Sequence, residues 1–248
     1  MAITTPVTRG HNTNTTNNTT AAVTTVGACT AGNLLLYLFV CQSGATLSSV
    51  SGGGATWTIT ENPVNGASVC VAIAWAIVPG GGIADSTTIT GTVSANNTRK
   101  CMALVEIGVD GGWSWPASPV DKHTNATGSS TTTFSSGTTA ATTQADELVI
   151  CAFGNAGNCT AFTAGTGYTV APYNSNTGLL VVSAGSTPRS LLAEFKIVSA
   201  TGAQGDVSTN AVTTTAGTFA GAVVTFAPTG ATGNTFTKAG TGAFGPAT

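Results

Sequence analysis

The sequence predicts an all-β protein, and three observations carry that reading. Charged residues are only 6% of the chain, against roughly 25% in an ordinary soluble domain, so the charged helix formers are nearly missing. Thr and Val are abundant, and branching at Cβ suits a pleated surface. The 32 glycines among 248 residues, with many Asn, supply turns. Apolar residues reach 42%, enough for a core, and where they cluster they recur with the period of two that marks a strand.

The elements follow in order. Residues 1–25, mostly Thr and Asn, read as an extended arm or, alternatively, a first edge strand. Residues 33–40 form a short apolar run bounded by Gly32 and Gly44, hence a buried strand. Segments 47–50 and 56–60 flank the turn Gly52-Gly53-Gly54. Segment 68–78 is the clearest strand: Val69, Val71, Ile73, Trp75 and Ile77 share one face, and Cys70, Ala72, Ala74 and Ala76 the other. Large residues on one side and small ones on the other indicate a strand covered on both faces. Segments 87–93 and 101–109 alternate again, then Trp113 and Trp115 sit in a Gly/Pro loop. Residues 124–143 read as a long Thr/Ser connection holding one strand near 130–134. Strands are then expected at 147–153, 166–170, 179–183, 190–198, 205–209 and 218–227.

The two halves repeat one order of events. Asn33-Leu34-Leu35 answers to Asp146-Glu147-Leu148, Trp57 to Tyr168, Trp75 to Phe195, and Cys101 to Phe219, always about 110–120 residues apart. Two arrangements fit: two separate small sandwiches, or two four-stranded motifs folded against each other as one jelly roll of eight strands in two sheets. With four or five evident strands per half, the second is preferred, because so few cover both faces of a core poorly. The expected architecture is a jelly-roll-like, two-sheet antiparallel β-sandwich with internal pseudo-duplication: an arm at 1–25, a sandwich at 26–228 (pseudo-repeats about 30–112 and 144–228), and a Gly/Thr/Phe-rich arm at 229–248.

Several function classes are disfavoured. A net charge of −2 with 7 scattered Lys and Arg gives no basic field for nucleic acid. The longest apolar run, 34–41, is too short for a membrane span, and the first residues lack the pattern of a signal peptide, so synthesis in a cytoplasm is expected. No C-x-x-C occurs; Cys29, Cys41, Cys70, Cys101, Cys151 and Cys159 mostly fall within strand patterns and read as small buried hydrophobes. A hairpin bridge between Cys151 and Cys159, or Cys29 and Cys41, is the minor alternative. His11 and His123 lie far apart in sequence, with no metal-ligand spacing. Glu61, Glu106, Asp110 and Asp121 are the carboxylates that a glycosidase reading would need, and none is paired by spacing. N-x-S/T triplets at Asn14, Asn96 and Asn125 follow from composition alone. The expectation is no catalytic residue, no metal and no cofactor.

The order of these segments, with Gly53-Gly54-Ala55-Thr56-Trp57-Thr58, the Val71–Gly81 run and Ser118-Pro119-Val120-Asp121, resembles a β-sandwich domain of tailed-bacteriophage virion proteins and some bacterial surface proteins, over about residues 20–228. The stretch from Thr235 through Phe236, Lys238 and Phe244 to Pro246 resembles one unit of the Gly/Phe-rich repeats that trail phage structural proteins. The resemblance implies a non-enzymatic virion component, foremost a capsid decoration or cement protein. Its partner would be the major capsid protein or another virion protein, contacted through the sandwich and through Phe236, Phe244 and Lys238 of the tail. A trimer would suit a capsid three-fold. The alternative is a tail-fibre or adhesin domain binding host-surface carbohydrate, with Trp113 and Trp115 stacking on sugars. The competing reading of these two indoles is that they plug one end of the sandwich. A secreted hydrolase ranks last, for want of a leader pattern and an acid pair.

Overall fold

In the computed structural model the described residues are 3–230, without 43, 66–67, 132, 172–178, 207–208 and 214–216. They hold eighteen strands. The first nine are β1 (Val7–Asn14), β2 (Asn18–Thr24), β3 (Leu34–Gln42), β4 (Leu47–Ser51), β5 (Thr58–Glu61), β6 (Val64–Asn65), β7 (Val69–Ile77), β8 (Thr88–Asn97) and β9 (Lys100–Ile107). The second nine are β10 (Val120–Thr131), β11 (Thr133–Phe134), β12 (Glu147–Asn155), β13 (Cys159–Thr163), β14 (Thr169–Val170), β15 (Leu179–Val182), β16 (Ser190–Val198), β17 (Thr209–Thr213) and β18 (Gly217–Phe226).

Each set builds one large and one small sheet. The large sheets run β1-β9-β3-β7-β5, with β6 also on β7, and β10-β18-β12-β16-β14, with β15 also on β16. The small ones run β2-β8-β4 and β11-β17-β13. Adding nine to every label of the first pair of sheets yields the second pair. Pairing is antiparallel throughout, as in β3 against β7 from Leu34↔Ile77 to Gln42↔Val69, and β12 against β16 from Glu147↔Val198 to Asn155↔Ser190.

The sequence expectation of an all-β antiparallel sandwich is what forms. The preferred two-sheet layering is corrected: four sheets form among the described residues, one large and one small from each half, because each half supplies nine strands rather than the four or five evident in the sequence. Leu34, Leu36, Leu38 and Val40 of β3, with Val69, Val71, Ile73 and Trp75 of β7, pack against Leu148, Ile150, Val224 and Phe226 of the other large sheet. The opposite faces of the same strands (Leu35, Tyr37, Phe39; Cys70, Ala72, Ala74) pack against Ala21, Val23, Leu47, Ile89 and Val93 beneath the first small sheet. Val149, Cys151 and Phe153 likewise face Phe134 and Phe162 beneath the second. Four layers therefore stack small–large–large–small, with the large sheets back to back. This is why β3 is buried at every position but its last: a strand with sheet on both sides needs apolar residues on both faces.

A Cβ at Gly154 would lie 3.0 Å from the Cys70 carbonyl and from Val40 Cγ2, so glycine allows the two large sheets to close there. Trp75 meets Phe226 edge-on across the same interface, centroids 6.5 Å apart at 79°.

Three further expectations are corrected. The stretch expected as an arm at 1–25 is no free arm over 7–24: β1 pairs with β9 and β2 with β8, so the edge-strand alternative applies twice over. Low complexity hid them, because a strand facing a sheet edge needs only hydrogen bonds and an occasional Ala or Val inward, as with Ala21 and Val23. Of the stretch 124–143, read as a long connection with one strand near 130–134, the first part is instead β10, paired with β18 from Val120↔Phe226 to Thr131↔Gly217; β11 falls at 133–134 and the connection begins only after it. The strand expected at 205–209 lies later, at β17. Residues 231–248, and the tail expectations that rest on them, lie outside the described residues.

Candidate functional site

The loop after β9 carries the indoles singled out by sequence, and the fold separates them. Gly111 and Gly112 turn the chain with φ of 68° and 81°, and Trp113 N–H returns to the Asp110 carbonyl at 3.3 Å. Ser114 then pairs with Thr229 in both directions, Ser114 N–H to Thr229 O at 2.9 Å and Thr229 N–H to Ser114 O at 2.8 Å. This bridge ties the loop to the end of the second half. Trp115 is only 6% exposed, belongs to the central core, and donates its indole N–H to the Ile107 carbonyl at 3.0 Å. A satisfied, buried indole is a plug, so Trp115 is withdrawn from the surface contacts expected of it. Trp113 stays half-buried, its ring over Gly230, where a Cβ would stand 3.4 Å from Cε2. Phe236, Lys238 and Phe244 lie outside the described residues.

Ala117 of this loop walls one side of a shallow depression of about 340 Å³, completed by Gly54, Thr58, Trp75, Ile77 and Pro79. Its lining is mainly aromatic and aliphatic, with Thr56 and Thr58 among the lining residues and no carboxylate.

Three of the four acids that the sequence left unpaired are engaged within the fold. Glu61 ends β5 in the first half and reaches into the second, where its Oε1 lies 2.6 Å from His123 Nδ1 and its Oε2 accepts from Asn125 Nδ2 at 2.9 Å. Glu61 is buried while the His123 side chain is 50% exposed. Glu106 accepts from Arg9 Nε, and from Thr30 N–H and Asn33 Nδ2, both at 2.7 Å. Asp121 bonds Lys122 Nζ at 2.7 Å and Thr143 N–H at 2.7 Å; Asp110 is exposed. Burial raises the Asp121 carboxyl, but the Lys122 and Thr143 hydrogen bonds outweigh it and hold the group below its usual range.

Sequence reasoning missed two buried acids, Glu147 and Glu194, both fully enclosed. Burial pushes Glu194 up to about 8, with the nearby Asp206 charge adding to the rise and the Gly165 N–H, donated to Oε2 at 2.8 Å, opposing it. Burial, with the charge of Asp121, pushes Glu147 up to about 7. The signal was legible: a carboxylate set within Leu191-Leu192-Ala193-Glu194-Phe195, where both neighbours and both faces are apolar. The reach of Glu61 to His123 left no such trace, because the two are 62 positions apart.

Among the described residues no group of three or more His, Cys, Asp or Glu is placed to hold a metal ion. Comparison with protein-family models, with curated proteins and with solved structures found no match to this chain.

Proposed function

We propose that this chain is a non-enzymatic structural protein built of two jelly-roll-like units arisen by duplication, and that it acts by docking its sparsely charged outer surface on another protein. The observation that carries the reading is where its chemistry sits. Glu61, Glu106, Asp121 and Lys100 are spent on contacts within the fold, Lys100 Nζ donating to the carbonyls of Thr16, Asn18 and Asn97. The outside presents Thr, Ser and Asn, and Val7 and Val26 are the only exposed large hydrophobics among the described residues. A surface with few ions loses little hydration free energy on contact, which favours wide, flat, polar association over a single hot spot.

Within that class, capsid decoration in a bacteriophage particle is the preferred setting. It rests on the resemblance in strand order and on the Gly/Phe-rich tail, with the major capsid protein as partner and the virion as location. Electron microscopy of particles from the source that encodes the chain is the test. Density for two stacked sandwiches at regular lattice positions on the head supports it; absence from purified particles removes it. A second reading, carbohydrate binding by a tail-fibre or adhesin domain, draws on the half-buried Trp113 and the depression beside Trp75. A glycan array that is silent for the wild type, or unchanged in Trp113→Ala, removes that one.

A further inference from the structure

Cys41 and Cys70, which no spacing rule pairs, occupy facing positions of β3 and β7 in the antiparallel register. Their Sγ atoms are 2.7 Å apart and both residues are fully buried. Register partners in antiparallel strands have Cα atoms roughly 4.5–5.5 Å apart, within the span of about 4.4–6.8 Å that a disulfide bridges. No other cysteine has such a partner. Cys29 lies opposite Ile83, Cys101 opposite Thr13 and Val40, Cys151 opposite Glu194 and Val223, and Cys159 opposite Thr213.

We propose that Cys41 and Cys70 are an oxidisable pair that closes to a cross-strand disulfide under a low-molecular-weight disulfide such as oxidised glutathione. One cysteine thiolate attacks a sulfur of the oxidant and expels one glutathione thiolate. The other cysteine thiolate attacks the protein-bound sulfur of that mixed disulfide and expels the second. Two cysteine thiols are oxidised, one disulfide is reduced, and the two cysteine protons end on the two glutathiones released. In the reduced pair the two thiols share one S–H···S hydrogen bond, and the Ala45 carbonyl, 3.3 Å from Cys41 Sγ, is a second acceptor within reach.

The folded interior opposes the exchange. The hydrogen bond with Cys70 and then burial hold the Cys41 thiol far above its ordinary range, so the thiolate is scarce. The bond therefore forms while β3 and β7 are still separating or coming together. The enclosed loop carries β4, β5 and β6, hence Glu61 and also Asn65, whose Nδ2 donates to the carbonyls of Gly128 and Phe219 at 2.8 and 2.9 Å. Cross-linking its two ends fixes the segment that clasps the second half.

The test is refolding in a glutathione redox buffer, alkylation of free thiols, and non-reducing peptide mapping by mass spectrometry. The expected result is a single linked pair, Cys41 with Cys70, and four alkylated cysteines of the six. The oxidised protein should melt about 5–10 °C above the reduced one, and the difference should vanish in Cys41→Ser. Six alkylated cysteines, or a bridge mapped to any other pair, would overturn the proposal. Both readouts come from the wild-type chain, so a variant that fails to fold does not obscure them.

Discussion

The two halves share a strand order and differ in how they keep acids inside. In the first, Glu106 has Arg9, Glu61 reaches His123 of the second, and the buried Lys100 is ringed by carbonyls. In the second, Glu194 has Asp206 near it and Glu147 has Asp121, so acid faces acid. A buried carboxylate beside a cation gains Coulomb energy as an ion; beside another carboxylate it keeps its proton. The first half thus pairs the buried Glu106 with a cation, the second keeps Glu147 and Glu194 protonated, and pH should tell them apart.

The largest effect should come from the interface that both halves share. Phe226→Ala removes the ring that Trp75 meets and opens a cavity between the large sheets. A loss of about 3–5 kcal/mol in urea unfolding is expected, against much less for a truncation in one small sheet. If Phe226→Ala costs no more than Val23→Ala, the central core is not the dominant one.

Next comes the ion pair. Arg9→Met leaves Glu106 buried with two neutral donors and should cost roughly 2–3 kcal/mol at pH 7. Restoring neutrality with Glu106→Gln in the same chain should recover part of it. No recovery in the double variant would mean that Arg9 acts by packing alone.

The pH dependence of the second half sharpens the contrast. Glu194 and Glu147 bind their protons more tightly folded than unfolded, since both sit above the ordinary value of 4.5. Between about pH 4.5 and pH 8 the folded chain holds protons that the unfolded chain has released, so stability falls as pH rises through that window and levels off above it. Asp121, held low, acts oppositely and only at acid pH. The summed decline should be on the order of a few kcal/mol, and Glu194→Gln should flatten much of it. A melting temperature that climbs from pH 5 to pH 8 would contradict the assignment.

The smallest effect is on stability at Trp113. Half-buried over Gly230, it should cost less than about 1 kcal/mol when replaced by Ala, while Trp115→Ala, in the core with its N–H bonded, should cost about 3–5 kcal/mol. Equal losses would mean that the loop does not divide the indoles as described.

What the chain told by itself was local. Period-two patterns placed the buried strands, and the similar spacing, about 110–120 residues, of Trp57, Trp75 and Cys101 from Tyr168, Phe195 and Phe219 runs parallel to a strand order that recurs nine elements later. The alternation of large and small residues in β7 already said that both its faces are covered, because period and side-chain volume are properties of one strand alone. It could not say by what. Which sheets stack, that Thr/Asn-rich β1 and β2 complete them, that Trp115 goes inward while Trp113 stays out, and that Glu61 finds His123 and Cys41 finds Cys70 were decided by tertiary structure. Those are meetings of residues far apart in sequence, and their energies depend on distance and burial, which a linear order of side chains does not contain.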